Sequence, residues 1–385
     1  IIPFYNMQKI LIIAFTDLEN DPRVKRQIKY LAQYYNVSTV GWDPIQIQGI
    51  KFFKIKPIVR SRIDRIKRAF KYKLRHFEDL YWSLYNFQPL LKTLSKKEFD
   101  LIIANDIETM PLALKIKKKA KVVLDAHEYS PRHFEDQFIW RFFFQDFNKY
   151  LCSEYMHKCN KIITVSQGIA NEYKKNYSID PVVITNAADY VNLQPTIVDG
   201  NHIRIITHGV ANPSRRLELM IKIMDHIDPR FHLDMMLLPV FPKYYKYLQK
   251  LTKRRKNVSL IPPVKQKEII SFTNIYDLSF LIIKPYTINL KYGLWNKTFE
   301  SLQARLGLVT GVTPESQAEI VNQYGCGIVL DSFEPKQIAL RLNQLTDKQI
   351  FGYKKKAHIT AGKLTAKKNM EKLGRLVKNL IKISL

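Results

Sequence analysis

Cysteine is scarce: the 385 residues hold three, Cys152, Cys159 and Cys326. Their odd number and their spacings match neither a disulfide framework nor a zinc site, so a reducing cytoplasm fits best. Cys152 and Cys159 lie seven apart in a helical-looking stretch and are expected to share one buried face as small apolar residues. No run of about 18 apolar residues occurs, which leaves no transmembrane helix. Ile1–Asn6 lack the cationic start and apolar stretch of a signal peptide. The loop after the first strand, Phe15-Thr16-Asp17-Leu18-Glu19-Asn20-Asp21, has no glycine, so the G-x-G-x-x-G of a dinucleotide enzyme is missing, and no Walker loop occurs elsewhere. Hydride transfer and nucleoside-triphosphate hydrolysis lose their support. Acidic residues are also few, 34 against 62 Lys and Arg, for a formal charge of +28. A field of that sign seeks anionic partners: nucleic acid, lipid head groups or phosphorylated substrates.

What is present reads as α/β. At 46% hydrophobic and 25% charged, the chain can bury two ordinary cores. Lys9–Phe15 is a short apolar run, as in a parallel strand buried on both faces. Asp21 then caps a helix with Pro22 in its first turn and Val24, Ile28, Leu31 and Tyr35 on one side. Asn36–Gly41 follows as a strand, completing a βαβ unit. Similar strands are predicted at Asp100–Ala104, Lys121–Leu124, Lys161–Val165 and Val182–Thr185. After the polar break Val198–Asn201 they resume at Ile203–Thr207, His232–Leu237, Val258–Ile261, Leu278–Ile282, Gly307–Thr310 and Gly327–Leu330. Two doubly wound domains are expected, over 1–195 and 200–363. A basic amphipathic helix over 364–385, with Leu373, Leu376, Val377, Leu380 and Ile381 on one face, is placed to pack across the domain junction.

Four patches carry chemistry. Asp21-Pro22-Arg23-Val24 opens the first helix. Asp125-Ala126-His127-Glu128 follows a buried strand, at the carboxyl end where open α/β sheets hold ligands. His208-Gly209-Val210-Ala211-Asn212-Pro213-Ser214-Arg215-Arg216 follows the second domain's first strand, where cationic side chains and helix N–H groups make an anion site. Asn296-Lys297-Thr298-Phe299-Glu300 opens a later helix. Together these resemble the retaining glycosyltransferases of family 4, of the GT-B fold with two Rossmann-like domains facing a central cleft, in a D-P-R-V subgroup. The resemblance runs from about Lys9 to about Leu345. It implies that Asp21 and Arg23 border the acceptor side and that His127 contacts the donor sugar beside the bond being broken. It implies that Gly209, Arg215 and Lys297 face the donor diphosphate, that Asn296 belongs to the donor-binding set and that Glu300 accepts hydrogen bonds from the ribose hydroxyls. Arg215 is the better match and Arg216 its near neighbour. The chain departs from the family twice: Val210 and Ala211 supply no second basic residue beside Gly209, and Tyr292 stands where the first glutamate of the E-x7-E signature is expected.

No D-x-D triplet is present, so the leaving diphosphate is expected to be neutralised by Arg215, Lys297 and backbone N–H groups, with no metal or cofactor. The resemblance implies same-face transfer with retention. Between Lys51 and Arg75 lie eleven basic residues against one acid, Asp64, with Phe52, Phe53 and Phe70 among them. This basic, aromatic-rich helical surface, including Lys54, Arg62, Arg65, Arg68 and Lys71, suits anionic lipid head groups. The expected enzyme therefore works at the inner face of the plasma membrane, on a lipid-linked or saccharide acceptor, in cell-surface polysaccharide or glycoconjugate synthesis, without a nucleic-acid partner. The rival readings are a sugar-nucleotide epimerase of the same architecture, a basic nucleic-acid-binding protein, and a nucleotide binder without turnover.

Overall fold

A computed structural model describes residues 7–58 and 61–382, with the side chains of Pro57, Arg62, Ile63, Arg65 and Lys382 outside the described part. The chain divides into two compact units: residues 1–185 with 370–385, and residues 186–369.

The first unit is built on seven parallel strands: β1 (Lys9–Ile13), β2 (Asn36–Gly41), β3 (Lys51–Lys54), β4 (Leu101–Asn105), β5 (Lys121–Ala126), β6 (Lys161–Thr164) and β7 (Val182–Val183), in the order β3-β2-β1-β4-β5-β6-β7. Every residue of β4 is buried, as the continuous apolar run demands of a strand covered on both faces. Pairing of Ile13 with both Val40 and Ala104, and of Asn105 with Asp125, brings the carboxyl ends of β1, β2, β4 and β5 level. Chain order reverses beside β1, which makes that end the place for a ligand. Helix α1 (Pro22–Leu31) begins there, its first N–H groups bonded by the Asp21 carboxylate. Such a cap is worth about 1 kcal/mol.

The second unit repeats the plan with six parallel strands: β8 (Ile203–Val210), β9 (Phe231–Leu238), β10 (Val258–Ile261), β11 (Leu278–Phe280), β12 (Gly307–Gly311) and β13 (Gly327–Leu330), ordered β10-β9-β8-β11-β12-β13. Its switch point falls beside β8. The core of this unit gathers Ile203, Ile205, Leu233, Met235, Phe280 and Val309.

Three expectations change. Lys51–Lys54, taken as part of a helical surface, is an edge strand paired with β2; Phe52 packs against the core while the flanking lysines stay exposed, which keeps a sheet edge from recruiting another strand. Helix α2 (Arg62–Lys73) starts only at Arg62, behind the Ser61 capping box. Cys152 and Cys159 share no helix face: the helix ends at Tyr155, Cys152 is buried within it, and Cys159 follows a tight turn with its thiol on the Met156 carbonyl. Helix α5 (Ala366–Lys382) lays Met370, Leu373, Val377, Leu380 and Ile381 into the core of the first unit. Two further helices used below are α3 (Phe138–Phe143), in the first unit, and α4 (Asn296–Gln303), in the second.

Candidate functional site

In the first unit, functional groups collect beyond the level ends of β1, β4 and β5. Arg23, predicted to border an acceptor, turns inward instead. It is 4% exposed, its Nε and Nη2 donate to the two Asp125 oxygens at 2.8 and 2.6 Å, and its Nη1 donates to the Ile184 carbonyl. Gln27 also donates to Asp125. The physical reason is Asp125 itself: a fully buried carboxylate at a strand end requires a cation and every available donor. Asp21 is spent on the α1 cap and on the Thr16 hydroxyl.

His127 follows β5 and is held from three directions. Its backbone N–H donates to Asp106 Oδ1, Nδ1 lies 3.3 Å from Asp106 Oδ2, and Nε2 lies 3.2 Å from Asn105 Oδ1. The Asn105 amide is oriented by its donation to the Ile13 carbonyl. Asp106 itself adopts φ 62°, ψ 156°, a conformation that costs a non-glycine residue on the order of 1–3 kcal/mol and concentrates at functional positions. Burial raises the Asp106 and Glu108 carboxyls above their usual range. The same neighbourhood holds His133 on Glu128 at 2.8 Å; burial lowers its pKa, yet the Glu128 charge and hydrogen bond carry it to about 9. A cavity of about 230 Å³ opens here, lined by Phe15, Trp42, Tyr85, Asp106, Glu108 and His127 among others.

In the second unit the carboxyl end of β8 and the first turn of α4 meet. Gly209 has φ 122°, and a β-carbon on it would sit 3.4 Å from Arg215 Nη1 and 3.6 Å from Lys297 Nζ. The bare backbone thus lets two cations close on one point. Lys297 is 8% exposed. Burial, then the neighbouring Arg215, pull its ammonium pKa well below normal, against the pull of Glu300. Glu300, one turn on, has Oε2 at 2.8 Å from His208 Nε2, and the buried His208 Nδ1 has no partner among the described residues. The arrangement offers an anion site beside an acceptor of hydroxyl hydrogen bonds. The helix is fixed by Thr298 on Gln317, with Gln317 in turn donating to Thr310 and the Leu281 carbonyl. Asn296 accepts from Asn186 at 2.7 Å. Arg216 leaves this group: its guanidinium lies 3.9 Å above the Tyr286 ring. Tyr292 closes the short helix Ile288–Tyr292, half-buried. A larger cavity of about 940 Å³, lined by Arg204, Arg230, His232 and Lys256, lies at the amino ends of β8 and β9, away from the switch point.

Of the basic surface, Lys54 pairs with Asp43 at 2.9 Å, Arg68 and Lys71 are half-buried, and the Arg62 and Arg65 side chains lie outside the described part. Of its apolar half, sequence reasoning named Phe70 and missed the rest. Ile66, Phe70 and Leu74 on or beside α2, and Phe138, Ile139 and Phe142 of α3, are exposed, and Lys73 Nζ stands 2.9 Å over the Phe142 ring. Helix α3 buries none of its residues. The run Phe138–Phe143 was the available signal. Asn105, Asp106 and Glu108 were missed as well, although they sit directly after a buried strand. Among the described residues, no helix is long and apolar enough to cross a membrane, and no group of three or more His, Cys, Asp or Glu is placed to hold a metal ion.

Residues 52–190 match the sequence model described as Glycosyltransferase Family 4. No curated protein matches the sequence. Solved structures match over nearly the whole chain. HepE from Anabaena, in complex with UDP-glucose, aligns at TM-score 0.70 and 13% identity, covering 96% of this chain and 99% of that one. A glycosyltransferase from Rickettsia africae aligns at 0.67 and 14%, covering 98% and 100%. WaaG, a glycosyltransferase involved in lipopolysaccharide biosynthesis, aligns at 0.66 and 12%, covering 95% and 99%. The chain has the GT-B fold. Fold and family match together support a glycosyltransferase of GT-B type.

Proposed function

We propose that the chain is a retaining, metal-independent glycosyltransferase of the D-P-R-V subgroup, moving a sugar from a nucleotide donor to a lipid-linked or glycan acceptor at the inner membrane surface. The observation that carries this reading is the convergence of Arg215 and Lys297 on the bare backbone of Gly209, one helical turn from Glu300. A departing nucleoside diphosphate is a concentrated anion, and breaking the glycosidic bond puts more charge on it. Two cations and helix N–H groups already in place stabilise that charge without reorganising, an effect worth roughly 2.7–4 kcal/mol per donor group in comparable sites. Lys297, whose charge is disfavoured by burial and by Arg215, gains an anionic partner when the diphosphate arrives. Glu300 accepts from the ribose hydroxyls, and the family resemblance assigns His127 to the donor sugar. Retention follows if the leaving phosphate takes the acceptor's proton on the same face. HepE binds UDP-glucose, which makes a UDP-sugar the first donor to try.

The test titrates UDP, GDP, ADP and TDP, and their sugars, against wild type and Glu300→Ala in EDTA. One nucleotide class is expected to bind, and Glu300→Ala to weaken it about 10- to 100-fold, the value of a hydrogen bond to a charged group. Binding that vanishes in EDTA removes metal independence. Failure of all four nucleotides removes the glycosyltransferase reading.

A further inference from the structure

The cavity at the carboxyl end of the first sheet differs in character from the rest of this cationic chain. Its lining includes three aromatic residues, Phe15, Trp42 and Tyr85, three carboxylates, Asp21, Asp106 and Glu108, and no lysine or arginine. The Phe15 and Tyr85 rings lie 5.0 Å apart between centroids, tilted by 53°, and Trp42 stands 43% exposed. At about 230 Å³ the space is below the roughly 300–1,000 Å³ of pockets for drug-sized ligands, and it suits one six-membered ring rather than a chain.

The polar atoms facing it are sorted. Asp21 is committed to the α1 cap and Thr16, and Asp106 to His127. The Glu108 carboxylate is bonded by no other side chain among the described residues, while its backbone carbonyl accepts from Tyr81. Burial and the Asp106 charge raise the Glu108 carboxyl against the pull of His133 and His127, so a second anion brought beside it meets those carboxylates with no lysine or arginine in the lining to offset them. An occupant must therefore donate hydrogen bonds to carboxylates, present C–H surface to aromatic faces and carry no negative charge. A sugar ring with free hydroxyls meets all three conditions.

We infer that this cavity receives the acceptor's terminal residue and selects an uncharged hexose, with Trp42 stacking on the ring and Glu108 accepting from a hydroxyl, against uronic acids and phosphorylated sugars. The inference rests on the glycosyltransferase reading for the word acceptor, but sugar binding by the cavity stands or falls separately. The chain's excess of cations then serves the donor and the surroundings, not the acceptor ring.

The experiment is saturation-transfer NMR on the full chain with a panel of methyl hexopyranosides (gluco, galacto, manno), methyl glucuronoside, methyl glucosaminide and glucose 6-phosphate. UDP, GDP, ADP and TDP binding is recorded on the same samples. At least one neutral methyl hexoside is expected to bind, with the glucuronoside and the phosphate at least about tenfold weaker from charge repulsion. Trp42→Ala is expected to weaken the hexoside about tenfold. Glu108→Gln, which keeps size and fold, is expected to narrow the gap between neutral and anionic sugars. Equal or tighter binding of an anionic sugar, tighter binding of the glucosaminide than of every neutral hexoside, or no sugar binding at all overturns the inference. So does neutral-sugar binding that survives both substitutions. Nucleotide binding without sugar binding sinks this inference alone; sugar binding without nucleotide binding sinks the donor reading instead.

Discussion

At the scale of single residues, the buried charges divide into those that hold the fold and those that await a ligand. Arg23 and Asp125 belong to the first kind, each of the three guanidinium nitrogens being bonded within the protein. Arg23→Met is expected to cost about 3–5 kcal/mol, because it leaves Asp125 buried and unpaired; the midpoint of urea denaturation should fall with the slope unchanged. His133 offers a pH reading. Its folded pKa, about 9 beside Glu128, exceeds the ordinary value of 6.5. The pair's contribution is therefore complete below pH 6.5 and is lost as pH rises through about 9. The difference in melting temperature between wild type and His133→Gln should be largest near pH 6 and shrink by about pH 10; a difference that grows with pH contradicts the assignment. Lys297 and Glu108 belong to the second kind, disfavoured as charges by burial and, among the described residues, bonded by no other side chain.

At the scale of elements, strands were legible because continuous apolar runs have one solution in a parallel sheet, and Asn36–Gly41, Val258–Ile261 and Gly327–Leu330 begin and end where the pattern placed them. The edge strand β3 was illegible: a lysine at each end of Lys51–Lys54 hid it inside a cationic stretch, since edge strands carry charge for reasons unrelated to their own pairing. In the patch at the end of β8, glycine and basic residues announced an anion site, whereas the His208 bond to Glu300 spans 92 residues and no local spacing reveals it. The acid-lined cavity was equally hidden, since register, not sequence distance, sets Asn105 beside Asp125. The end of β8 yields its own expectation. Gly209→Ala forces a side chain into φ 122° beside two cations. It should cost on the order of 1–3 kcal/mol of local strain and weaken nucleoside diphosphate at least tenfold by calorimetry, while an alanine at Gly352, where nothing lies within 4 Å, leaves binding unchanged.

At the scale of the whole molecule, the charge of +28 and the exposed α2–α3 aromatics make one proposal about location. Vesicles containing anionic lipid should sediment the protein at low salt and neutral vesicles should not, each cation near the surface contributing about 1 kcal/mol. Phe138→Ser with Phe142→Ser should reduce binding at least tenfold without altering its salt dependence, because the substitutions remove apolar burial and leave charge intact. Retention of full affinity by that double variant would assign the surface to electrostatics alone.

Helix α5 bears on how the polypeptide is made. The strands of the first unit are complete at Val183, but Met370, Leu373, Val377, Leu380 and Ile381, which finish its core, leave the ribosome only after the entire second unit. A nascent chain halted near Thr185 therefore exposes the apolar stripe that those side chains later cover. The early-made half must wait, partly open, for the late-made helix, so trigger points for chaperone binding and proteolysis during synthesis are expected along α1 and β1, and expressing residues 1–185 alone invites aggregation.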